Sequence, residues 1–264
     1  MRVPRPLLTA GTAAITAGVA FLTIVPSVAQ AAPDTYRQLD AAGLIGVLPS
    51  GTEAPAWLGR PVEANTESRV PSEGMTICNV GDERSQVPSA ENTIFTKDIT
   101  GLTPSLSAYS FVNFGRFPTG GYSNMISSIA QFPSAAAADA AWKDLVAKSP
   151  ACAAPWSLPY PADDGTWNGM QQVRGTVSAG TSLYGSPSLV ITSASSGTRE
   201  GASAPSRTGG SLTVWRHLGN VIYRVQFSKA VLRDVRSAVS VSDRMTVNAL
   251  SALIGERYMT VAGG

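Results

Sequence analysis

Residues 211–227, SLTVWRHLGNVIYRVQF, decide the reading of the fold. Leu212, Val214 and Arg216 alternate with Thr213, Trp215 and His217, and Val221, Tyr223, Val225 and Phe227 alternate on the way back. A period of two sends successive side chains to opposite faces, which is strand geometry. Gly219-Asn220, between the two runs, is a two-residue turn signal. The stretch predicts an antiparallel hairpin.

Working outward, a second unit of the same kind precedes it. Ser107 to Phe114 is rich in β-formers, Gly115 to Gly121 supplies a turn region, and Tyr122 to Phe132 returns. Ser134 then caps a helix to about Lys148, with Ala138, Ala141, Trp142, Leu145 and Val146 on one face at helical spacing. After the 211–227 hairpin, a short helix is expected over Lys229 to Val239, and a final helix capped by Ser242 to about Met259. Further strands fit Gly74 to Val80, Thr93 to Ile99, Gly169 to Val177 and Ser186 to Ser193. The stretch 194–210, ASSGTREGASAPSRTGG, has almost no apolar side chains and reads as a mobile loop. The fold expected is α+β: an antiparallel sheet with a few helices packed on one face and one disulfide.

At the amino terminus, Arg2 and Arg5 precede an uncharged run from Leu7 to Val25. Pro26 and the small-residue site Ala29-Gln30-Ala31 follow. These are the three parts of a secretory signal peptide. The division expected is a signal peptide over 1–31, an irregular segment with a short helix over 32–74, and a single domain over 75–264. Residues 1–31 carry Arg2 and Arg5 as their only charges, so their removal cancels the chain's excess of 20 basic over 18 acidic residues. A neutral mature chain has no electrostatic footprint for nucleic acid. No membrane anchor is expected after cleavage, and the protein is expected to be secreted.

Hydrophobic residues make up 44% of the 264 positions, enough to build a core and exclude a wholly disordered chain. Cys78 and Cys152 are the only cysteines, and both lie in the exported part, where a disulfide persists more readily than free thiols. A bridge between them closes a loop of about 75 residues, for which the loop-entropy estimate is about 4.5 kcal/mol. Two cysteines and the single His217 are too few and too far apart for a metal site, and no cofactor motif occurs. There is no G-x-S-x-G, and His217, the one available base, sits one residue before a turn. Enzymatic activity is therefore not expected.

The segment 155–169, PWSLPYPADDGTWNG, brings Trp156, Tyr160 and Trp167 close in sequence to Asp163 and Asp164. Aromatic faces with polar neighbours can form a platform for a sugar or an extended peptide. Alternatively, these rings pack over the region of Cys152 and close the edge of the core. The adjacent acids also fit a solvated turn.

The run 127–152, SSIAQFPSAAAADAAWKDLVAKSPAC, places a strand, an alanine-rich helix with central Trp142, and Cys152 in a row. With the early cysteine, the hairpin and the final helix, it resembles the PknH-like extracellular sensor domains of actinobacterial receptor kinases and their secreted or lipoprotein relatives. The resemblance spans roughly 34–260. It implies an α+β sandwich with a concave face, a non-catalytic role, and an extracellular ligand. It also carries a disulfide role onto Cys78 and Cys152. These domains commonly hold four cysteines, and this chain holds two. The function expected is a secreted, sensor-like binding module of the cell envelope, for a small ligand or an envelope component. The alternatives are an interaction protein with a cell-wall protein partner, or a hydrolase with a carboxylate-based site.

Overall fold

The computed structural model describes residues 36–50, 53, 67–69, 75–81, 96–116, 121–153, 155–160, 165–176, 187–199, 201, 203, 207–232 and 240–263. The segment read as a signal peptide lies outside them. No helix among the described residues is long and apolar enough to cross a membrane.

The 211–227 hairpin is present and longer than its hydrophobic alternation. Strands β9 (Arg207–Leu218) and β10 (Val221–Leu232) pair in unbroken antiparallel register from Leu218↔Val221 to Arg207↔Leu232. Gly219 has φ +56°, as tight hairpin loops demand. A Cβ there would also overlap the Tyr36 ring, so glycine is needed both for conformation and for space.

The other strands extend this ribbon on both sides. They are β1 (Glu67–Arg69), β4 (Leu106–Arg116), β5 (Gly121–Gln131), β6 (Trp156–Tyr160), β7 (Gly165–Thr176) and β8 (Ser188–Arg199). The eight-stranded sheet has the order β1-β4-β5-β10-β9-β8-β7-β6, antiparallel throughout. A separate pair joins β2 (Met75–Gly81) to β3 (Thr96–Leu102).

Three helices complete the described elements: α1 (Ala41–Val47), α2 (Ala135–Lys148) and α3 (Val241–Ala262). Helix α2 begins as expected: Ser134 Oγ accepts from Ala137 N–H at 3.1 Å. Helix α3 starts earlier than the Ser242 reading. Its cap is Ser240, whose Oγ accepts from Asp243 N–H at 3.1 Å while the Asp243 carboxylate accepts from Ser240 N–H at 2.9 Å. This reciprocal box needs an acid three residues after the cap. Ser240 has Asp243, whereas Ser242 has Met245.

Two further expectations are corrected. The stretch 194–210 is not one loop, because 194–199 continue β8 and 207–210 begin β9. Its serines and glycines pair through the backbone, with Ser195↔Gly209 and Gly197↔Arg207 in register, and such pairing requires no apolar side chain. Residues 229–232, read as the start of a helix, are the end of β10. The remainder of that proposed helix, 233–239, lies outside the described residues.

The α+β class stands, but the helices flank both faces of the sheet. One face packs against α1 and α3. Its core joins Leu44 and Val47 of α1, Val214, Tyr223 and Val225 of the central strands, and Leu250, Ile254 and Tyr258 of α3. The other packs against α2, a 3-10 turn (Ser149–Ala153) and the β2–β3 pair. There Trp142 and Leu145 meet Leu189, Trp215 and Ile222, with Ile77, Leu102 and Cys152. The central ribbon is apolar on both sides, Trp215 and Ile222 on one and Val214 and Val225 on the other. A strand buried twice calls for cover on both faces. Each large apolar side chain so buried contributes about 1.5–3 kcal/mol.

The segment before α1 is fastened to β5 and to the end of α3. Gln131 accepts from Leu39 N–H and donates to Leu39 O, each at 2.9 Å, while Arg37 N–H donates to Ala262 O at 2.9 Å. Tyr36 lies beside Tyr258, with ring centroids 5.4 Å apart, and the Tyr258 hydroxyl donates to Asn220 Oδ1 in the hairpin turn. Gly255 lets α3 come close to β10, since a Cβ there would stand 2.7 Å from Tyr223 Oη.

Candidate ligand-binding face

The face under α2 changes character along its length. Cross-strand partners share a face, so the register can be read as rows running across the sheet. Nearest the Gly219-Asn220 turn, Ala130, Ile222 and His217 form a row beneath α2. The next row is Ser128, Arg224, Trp215 and Leu189, and the next is Ile126, Gln226, Thr213 and Ile191. Then comes a row without an apolar side chain: Asn124 on β5, Ser228 on β10, Ser211 on β9 and Ser193 on β8. The register continues it to Asn113 on β4 and Gln171 on β7.

Asn124, Ser228, Ser211 and Ser193 are partly exposed. The Ser193 and Ser211 hydroxyls are 2.6 Å apart in a shared hydrogen bond, and Gln226 Nε2 donates to Ser228 Oγ at 3.3 Å. These strands are central, so their backbone groups are used by the ladders on both sides. Only side chains remain for recognition from above.

Arg224 lies two rows from the polar row, on the side of the turn. Its Nε donates to Ser128 Oγ at 3.4 Å, and its guanidinium carbon lies 5.0 Å from the Trp215 ring centroid. Desolvation draws its pKa down to about 10, which still leaves it charged at neutral pH. Trp215 is fully buried, and its indole Nε1–H has no hydrogen-bond partner. A buried donor in that condition is uncommon in a native fold.

His217 belongs to the packed end. Its ring stacks on Trp142 with centroids 6.0 Å apart and an interplanar angle of 17°. Its Nε2 lies 3.0 Å from Gly219 O, and burial lowers its pKa below the usual 6.5. Its ring and Nε2 are thus occupied in joining α2 to the hairpin.

The residues singled out in sequence are distributed as follows. Trp156 and Tyr160 lie on β6, and Trp167 on β7. The pairs Trp156↔Gly169, Leu158↔Trp167 and Tyr160↔Gly165 put positions 156, 160 and 167 on one face. Position 167 shares the parity of Gln171 along β7, so that face is the one bearing the polar row. Asp163 and Asp164 lie outside the described residues. Cys78 is on β2, its side chain outside the described ones, and Cys152 is fully buried in the 3-10 turn and is not a free thiol. Among the described residues no group of three potential metal ligands occurs.

A concavity of about 720 Å³ lies on the opposite face between α1 and the end of α3. Leu48, Pro49, Leu253, Ser110, Glu53 and Arg257 are among the residues that line it. Arg257 grips the Glu53 carboxylate with both terminal nitrogens, and its Nη1 also donates to Leu48 O at 3.4 Å. The hydrogen bond from Arg257 is the main cause that lowers the Glu53 pKa to about 2. Both charges of this pair are spent on each other, and Glu256 also lines the cleft.

Sequence reasoning missed the polar row. Its traces were Gln226 and Ser228 on the strand read for Val225 and Phe227, and Thr213 and Ser211 opposite them.

No family model matches the chain, and no curated protein matches it. Among solved structures it is similar to the extracellular domain of PknH from Mycobacterium tuberculosis. The TM-score is 0.49 and the identity 13%, covering 85% of this chain and 98% of that one. That name coincides with the family resembled in sequence. A likeness of this degree carries no functional argument, which rests instead on the face described above.

Proposed function

We propose that this chain is an exported, non-catalytic binding module of the cell envelope, and that the polar half of the α2 face receives its ligand. One observation carries the reading: the row Asn124, Ser228, Ser211 and Ser193 on four adjacent central strands. Central strands flanked by helices on both faces ordinarily present apolar side chains to the core. Hydroxyls and carboxamides there give up burial energy, and partly exposed they are open to an external hydrogen-bonding partner. Positions 156, 160 and 167 extend the same face toward the edge strand. A disulfide between Cys78 and Cys152 would fasten the β2–β3 pair to the 3-10 turn beside this face. Cys152 is not a free thiol, β2 packs against that turn, and the chain has no third cysteine.

The test is amide-resolved NMR on residues 32–264, titrated with envelope glycans, peptidoglycan fragments, lipids and short peptides. Perturbations centred on 124, 193, 211 and 228 are the expected result. Perturbations confined to the cleft between α1 and α3 would overturn the placement.

A further inference from the structure

We infer that the ligand of this face is an uncharged linear glycan lying across the strands, one sugar ring to about one strand. The inference rests on the binding reading above and specifies its chemistry.

The row supplies three hydroxyls and a carboxamide whose side chains are described, and the register extends it with two more carboxamide positions, Asn113 and Gln171. Every member is neutral, and every member can both donate and accept a hydrogen bond. The complementary ligand repeats groups that also donate and accept and carries no net charge, as a polyhydroxylated chain does. An anionic ligand would look to Arg224, whose guanidinium is already held against Ser128 and the Trp215 ring. A peptide that binds by strand addition needs an open sheet edge. This row lies on the flat of the sheet, where the ladders use the backbone groups on both sides.

The direction of the row adds a geometric constraint. Adjacent strands are about 4.8 Å apart, so four strands carry the row over about 14 Å and six over about 24 Å. A linear pyranose chain advances by a comparable step per ring, which brings a fresh set of hydroxyls to each strand. The tryptophan positions 156 and 167 share this face near its outer edge.

The experiment titrates 15N-labelled protein, residues 32–264, with four probes: cellohexaose, maltohexaose, an oligogalacturonate hexamer and an uncharged hexapeptide. Perturbation of the amides of 124, 193, 211 and 228 by at least one neutral hexasaccharide is expected. Affinity should rise from the disaccharide to the hexasaccharide as more strands are engaged. The Ser211→Ala/Ser228→Ala double variant should bind that sugar about tenfold more weakly, the loss of two neutral hydrogen bonds. Asn124→Ala provides an independent variant should the double variant fail to fold. If the galacturonate hexamer or the peptide perturbs these amides and neither neutral sugar does, the glycan inference falls while the binding face stands. If the neutral sugars bind only elsewhere on the protein, both fall. If no probe binds, the glycan inference is overturned.

Discussion

The two faces of the sheet are built from the same strands and do different work. Under α1 and α3 the central ribbon shows Leu212, Val214, Tyr223, Val225 and Phe227, all buried and continuous with Leu250, Ile254 and Tyr258. Arg216, buried on this side, donates from Nε to Ser251 Oγ at 2.8 Å. Under α2, apolar packing reaches from the hairpin turn to Ile191 and gives way to Asn124, Ser228, Ser211 and Ser193. Over the central ribbon one face is apolar from row to row, and the other is apolar only in part. The difference separates stability from recognition: side chains that could have enlarged the core are hydroxyls and amides instead.

The sharpest break of this comparison is substitution on each side. Leu250→Ala, on the face under α1 and α3, should cost about 2–5 kcal/mol, the range for a buried leucine that leaves a cavity. The Ser211→Ala/Ser228→Ala pair should change stability by less than about 1 kcal/mol, as partly exposed groups do. Urea unfolding of both measures the contrast. Equal losses would make the polar row a structural network and remove its claim to a ligand.

Next in size is the fastening of the α2 face. Cys78→Ser should lower stability by about 2–5 kcal/mol, as loss of a native disulfide does in small secreted domains. Reductant should shift the wild-type thermal midpoint downward and leave that of the variant unchanged. A wild-type midpoint insensitive to reductant would show that no bridge holds β2–β3 to the sheet.

Gly219→Ala tests the point where the faces meet. A non-glycine residue in the left-handed region costs about 1–3 kcal/mol, and the new Cβ must also displace Tyr36. A loss confined to a few tenths of a kcal/mol in thermal unfolding would mean that the turn and the N-terminal segment are uncoupled.

The smallest effects distinguish the faces by acid sensitivity. Burial of His217 lowers its pKa beneath 6.5, so the unfolded chain binds the proton more tightly. Its contribution to stability is complete above pH 6.5 and declines as the pH falls below it. His217→Gln should flatten that slope in a stability profile. Glu53, on the other side, is held at about 2 against an ordinary 4.5 by Arg257. Its contribution is complete above about 4.5 and is lost as the pH falls toward 2. Both partners are about one-third exposed, so the pair is worth about 1 kcal/mol or less. Glu53→Gln should remove the lower window and leave the upper one intact.

Local features were legible from residues close together in the chain. Gly219-Asn220 marks the turn, and Ser134 before an alanine-rich run marks the start of α2. The serine-rich ends of β8 and β9 were not legible as strands, because the ladders with β7 and with each other form them. Nor was the flanking of both faces, since Trp215 and Ile222 next to Val214 and Val225 need a three-dimensional neighbour to show that each side is covered. At the site, the tryptophan-bearing segment 155–169 was noticed, but its relation to Ser193, Ser211, Ser228 and Asn124 was invisible. Those residues come from four strands with long separations in the chain.

By itself, the sequence determined the hairpin, the cap of α2, the charge balance and the α+β class. These depend on side-chain alternation, backbone freedom at glycine and hydrogen bonds over three or four residues. Tertiary structure alone decided which face each helix covers, how far the polar strands extend, and that single polar residues from β5, β10, β9 and β8 stand in one row. The reason is register: strand pairing sets which distant residues become neighbours, and pairing is an agreement among backbones that no single segment contains.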